Sequence, residues 1–67
     1  MIDKTQSIKE IITGYPVLLD IFIINGFKGL DNPMIMKQVG ERPIEEVLQN
    51  KGIGVTPFID MLNDHIN

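Results

Sequence analysis

The chain has 67 residues, with nine Asp and Glu against six Lys and Arg, and no cysteine. That length allows one domain that buries only ~60% of its unfolded surface, a size that calls for a partner or very efficient packing. Missing cysteine removes disulfides, thiolate zinc sites and thiol catalysis. The formal charge of −3 argues against a nucleic-acid binder, which needs a basic stripe to meet phosphates.

The opening MIDKTQ lacks the basic-then-apolar pattern of a signal peptide. Ser7 and Glu10 then form an S-x-x-E capping box that starts a helix near 7–13. Ile8, Ile11 and Ile12 supply its apolar face, and Gly14 is read as a left-handed stop. Tyr15 is read as an apolar staple ahead of the next helix.

Pro16 suits the first position of a second helix, near 16–25, because its missing N–H is no loss there. Asn25-Gly26 ends that helix. Val17, Leu18, Ile21, Phe22 and Ile24 lie at core spacing, while Leu19 and Ile23 are apolar in excess of one face. A helix this apolar is buried on most sides or covered by a partner. The run VLLDIFII is too short to span a bilayer, which takes ~20 residues. A soluble, cytoplasmic protein is therefore expected.

Asn32 and Pro33 repeat the start signal, with a capping side chain and then proline at the first helical position. This third helix, near 33–39, stops at Gly40. Phe27, just after the helix-ending glycine, is expected to turn inward and seal the stop. Pro43 opens a fourth helix near 43–50, with Glu45 and Glu46 at its positive end and Lys51 at its negative end. Gly52 closes it. A fifth helix, near 56–66, starts either at a Thr56 cap followed by Pro57, or at Gly54 with Pro57 inside the first turn. Phe58, Ile59, Leu62 and Ile66 form its apolar stripe. The sum is an all-α fold, residues 1–67 forming one compact domain of five short helices.

Catalytic chemistry finds little support. His65 is the only histidine, and Asp60 and Asp64 beside it are weak ligands on a terminal helix, so no metal or other cofactor is expected. Glu45 and Glu46 are adjacent on a helix and point ~100° apart, so they do not share a site. No base stands at a recognisable spacing from Ser7, and no glycine-rich phosphate loop occurs. Lys28, Lys37, Arg42 and Lys51 are balanced in sequence by Asp31, Glu41, Glu45 and Glu46.

The order and spacing of these elements carry a resemblance. SIKEIITGYPVLLDIFIINGF resembles the S-x-x-E-I-x-x-x-Y-P signature, closed by G-F, of a small helical family of unknown function. That family is similar to the N-terminal domain of ScdA-type iron–sulfur-cluster repair proteins and to the redox-disulfide domain associated with hybrid cluster proteins. The closing GIGVTPFIDMLN resembles the family's G-I-D-V-x-x-L-L-x-x-L-N. Cysteine-bearing relatives place C-x-x-C after G-F and before a proline, where this chain has Gly29 and Asn32. No redox or cluster role passes to those two residues, and NPMIMKQVG resembles a cysteine-less branch.

The expectation is a non-enzymatic interaction or regulatory module that self-associates, as a homodimer for instance, or binds a protein partner, with no nucleic acid or membrane involved. Its candidate binding residues are Lys28, Leu30, Met34, Met36 and Lys37, and Leu30 and one of the methionines are expected to be exposed. Ser7, Glu10, Pro16, Gly26, Phe27, Asn32, Pro33, Gly40 and Gly52 are assigned structural work. Two alternatives stand beside it: a small-ligand pocket near 26–36, or an accessory domain of an iron–sulfur repair or redox-sensing system.

Overall fold

A computed structural model describes residues 1–67, and it is all-α, with no strands. The helices are α1 (Ile8–Gly14), α2 (Leu18–Ile24), α3 (Pro33–Val39), α4 (Ile44–Asn50) and α5 (Val55–Ile66). Seven-residue helices are unstable alone, so caps and tertiary packing must hold them. The Ser7 capping box is present in both directions: the hydroxyl accepts from Glu10 N, and the Glu10 carboxylate accepts from Ser7 N.

Several boundaries move from their expected places, each for a local reason. Gly14 is the last residue of α1 and has no positive φ. The helix ends because Tyr15 leaves helical geometry (φ −137°, ψ 77°), as a residue before proline must. Pro16 is not the first residue of α2. A tight turn, with Leu18 N donating to Tyr15 O and Leu19 N to Pro16 O, delays the helix to Leu18. Pro43 is extended and caps α4 from outside, because its segment pairs with Ser7 in an isolated antiparallel bridge. For α5 the Gly54 start is the one adopted, with Phe58 N reaching back to Gly54 O. Pro57 then lies in the first turn, where no donor is needed.

Gly26 and Gly52 do act as left-handed stops, with φ 99° and 73°. Gly40 ends α3 for a different reason, since its φ is −73°. A side chain there would press on Met36 O and Sδ, and Gly40 O accepts from Lys9 N at 2.9 Å. Absence of bulk lets the end of α3 meet the start of α1.

The core is a cluster of twelve buried apolar residues contributed by every helix except α3, together with Ile2, Phe27 and Leu30 from the connecting segments. At its centre Phe22, Phe27 and Phe58 form an aromatic triad with centroids 5.1 to 5.7 Å apart. Phe27 is buried, as its place after the stop requires. On α2 the buried pair Leu18 and Phe22 sets the inward direction. Leu19 and Ile23, expected to be surplus, flank that pair and pack against the core. Val17 and Ile24, expected inside, are 67% and 77% exposed, because helical spacing turns them toward the Asp20 side. Tyr15 is 37% exposed.

The N-terminal segment is built into the fold. Ile2 is buried, and the Asn63 side chain of α5 grips its backbone: Ile2 N donates to Asn63 Oδ1 at 2.8 Å, and Asn63 Nδ2 donates to Ile2 O at 3.2 Å. Ile44 N to Gln6 O and Glu45 N to Lys4 O tie the same segment to α4. A hydrogen bond from Thr5 Oγ1 holds the exposed Asp3 carboxyl below its ordinary range. No helix is long and apolar enough to cross a membrane.

Candidate functional site

The stretch from Gly26 to Gly40 forms one wall of a cleft. Gly26 turns the chain out of α2, and Gly29, with φ 85°, bends it again over Ile35. Only a residue that accepts a left-handed backbone serves at that second bend. Asn32 N closes a turn on Gly29 O at 2.8 Å. The Asn32 side chain then accepts from Met34 N at 2.9 Å and caps α3, with Pro33 at the first helical position. Replacing Asn32 by Ala is expected to cost ~1 kcal/mol, read as a lowered urea midpoint with unchanged slope.

The third helix, α3, has no fully buried residue. Its half-buried Ile35 and Val39 face Val47 across a narrow inner pocket of about 80 Å³, which Lys28 and Lys51 border. That pocket shares Val39, Val47 and Lys51 with an outer cleft of about 350 Å³, rimmed by Gln38, Arg42 and Asn50. With these three residues in common the two hollows adjoin, and together they make up the α3–α4 depression.

Charge is distributed unevenly around it. Lys28, Arg42 and Lys51 line the depression, and no carboxylate does. Lys51 is fixed at the junction: its Nζ donates to Gly26 O at 3.3 Å and sits 5.0 Å from the centre of the Phe27 ring. That contact combines a helix-end carbonyl with a cation–π attraction. Arg42 Nη1, just ahead of α4, meets the Glu46 carboxylate in its first turn at 3.2 Å, both side chains exposed. Lys28 belongs to neither of the chain's two ion pairs.

Of the five candidate binding residues, only two border the depression. Lys28 stands at its edge, exposed as expected. Leu30 lines it from beneath and is 3% exposed, so it is a core residue that shows the cleft one edge and not a surface anchor. Its burial follows from the Gly29 bend, which tucks the next side chain under α3. Met34 is 69% exposed and Met36 packs against the core, the one-out, one-in pattern of residues two apart on a helix. Neither methionine reaches the cleft, nor does Lys37, which is exposed elsewhere on α3. Ile35, Val39, Val47 and Lys51 were the residues to find. Ile35 and Val39 stand four apart on a short helix, a visible sign of an inward face.

Elsewhere the titratable groups stay apart. No three of His, Asp and Glu gather as a metal set, and His65 Nδ1 lies 2.9 Å from Met61 O in its own helix. Gly29 makes the bend and Asn32 the cap.

Comparison with known proteins gives one match. The model of a family described as "Domain of unknown function (DUF1858)" matches residues 2–59. No curated protein and no solved structure matches the chain.

Proposed function

Since the chain belongs to the DUF1858 family, whose function is unknown, the functional reading must come from its surface, and we propose that it is a non-enzymatic interaction module. Its binding face is the α3–α4 depression. One observation carries this: three cations line an aliphatic floor to which no carboxylate contributes, Arg42 alone of the three being paired, with Glu46, in a chain whose acids outnumber its bases. Chance placement on an acidic domain disfavours such a segregation, while recognition of a partner by charge complementarity calls for it.

The size of the depression favours a partner's side chains over an enclosed metabolite. Pockets that engulf small ligands run ~300–1,000 Å³ and bury most of the ligand, whereas the inner part here is about 80 Å³ and the larger part is open to solvent. Catalysis has no comparable support.

A photo-crosslinking amino acid placed at Gln38, on the cleft rim, tests the reading against its rival, the exposed apolar side of α2. In cells that make the protein, Gln38 is expected to give a discrete adduct and the same probe at Ile24 none. An adduct confined to Ile24 would move the binding face to α2 and refute the cleft.

A further inference from the structure

Resting on the cleft reading above, we infer that its occupant is an acidic peptide segment of a partner protein, carrying an aliphatic or aromatic side chain beside its carboxylates. Half of the chain's six cations line the depression, and none of its nine acids does. Lys28 is neutralised by nothing in the chain's ion pairs. Arg42 is engaged only in an exposed pair with Glu46, the kind that yields readily to a competing carboxylate. Lys51 is already immobilised by Gly26 O and the Phe27 ring. An ammonium carries three N–H donors, so Lys51 keeps donors to offer an incoming anion with little further loss of freedom.

The apolar part fixes the second half of the ligand's chemistry. Val39 and Val47 floor both the inner pocket and the outer cleft. The inner part admits one side chain, and the outer part receives the residues beside it. Gln38 and Asn50 on the rim offer amides that donate and accept, the pairing an extended peptide backbone requires. A free small acid would use the cations but leave that rim unfilled. The other surface features lack this complementarity. The hollow between the N-terminal segment and α5 mixes Lys4 with Asp3 and Asp60, and nothing indicates what covers Val17 and Ile24 on α2.

The experiment is an amide chemical-shift titration of the full 67-residue chain with a short acetylated peptide of alternating glutamate and leucine. Comparators are its lysine–leucine and glutamate–serine counterparts and the simple acid octanoate. The glutamate–leucine peptide is expected to shift Val39, Val47 and Lys51 and to bind more tightly at low salt. The glutamate–serine peptide should bind more weakly, and the lysine–leucine peptide not at all. Lys28→Glu should weaken binding at least ~10-fold, with melting unchanged because Lys28 is exposed and unpaired.

Equal binding of the lysine–leucine peptide, indifference to Lys28→Glu, or no binding at millimolar peptide would each overturn the inference. Octanoate shifting the same amides as strongly would make this a small-acid site instead. Cleft shifts that follow protein concentration alone would assign it to a second copy of the chain. A Gln38 adduct with a non-acidic partner segment would remove this inference and leave the cleft reading standing, whereas absence of the adduct would remove both.

Discussion

Phe22→Ala is expected to remove about 3–5 kcal/mol of stability, the usual cost of deleting a fully buried phenylalanine. Phe22 has no exposed surface and touches both other rings of the triad, edge-on to Phe27 at 5.1 Å and tilted to Phe58 at 5.7 Å. Its loss therefore opens a cavity between α2, the chain after the Gly26 stop, and α5, and it also forfeits two aromatic contacts. Domains hold roughly 0.05–0.15 kcal/mol per residue, which for this length is about 3–10 kcal/mol in total. The variant should be largely unfolded at ambient temperature, as read by far-UV circular dichroism and urea titration. Phe22→Leu should retain the fold. A cooperative transition within ~0.5 kcal/mol of wild type would mean that the triad is not the centre of the core.

The second large effect is expected at the other extreme of burial intuition, two residues from the start of the chain. Terminal residues usually tolerate change, yet Ile2 is 3% exposed within the core cluster and its backbone is gripped by Asn63. Ile2→Ala should cost about 2–5 kcal/mol. Asn63→Ala should cost less, because each hydrogen bond nets only ~0.5–1.5 kcal/mol. The double variant should fall short of the sum, since both changes release one latch. Lys4→Ala is the control: its 3.9 Å pair with Glu45 is exposed and should contribute almost nothing. If Ile2→Ala melts like wild type, the N-terminal segment is not part of the cooperative unit.

Much of the fold was legible because it is written in short-range signals. The Ser7–Glu10 box, the Asn32 cap and the left-handed glycines 26 and 52 act within a few residues of themselves. The starts of α1 and α3 and the stops after α2 and α4 follow from such punctuation. What escaped depends on partners distant in sequence. Nothing near Ile2 announces Asn63, and nothing near Lys51 announces the Gly26 carbonyl or the Phe27 ring. The orientation of α2 is the same kind of case. With apolar residues at nearly every position, periodicity could not choose between Leu19 and Ile23 on one side and Val17 and Ile24 on the other.

The candidate site failed to emerge for a related reason. Its cations seemed cancelled in sequence, because Asp31, Glu41, Glu45 and Glu46 lie among them. Folding leaves only the Arg42–Glu46 pair between them: three bases line the depression and none of those acids does. Leu30 looked free because a lone leucine in a polar loop carries no periodicity, and only the Gly29 bend turns it inward.

The Ile2–Asn63 latch also bears on the order in which the domain assembles. It joins positions 61 apart, while the helices close over a few residues each. The entropy of closing so long a loop must be met before any contact compensates it. The N-terminal segment is therefore expected to dock after the helices have met, on the native side of the folding barrier. Loosening the latch should hasten unfolding and leave the refolding rate nearly as it was. In stopped-flow kinetics Ile2→Ala would then raise the unfolding arm of the chevron alone, and a matching drop in the folding arm would place the latch in the nucleus.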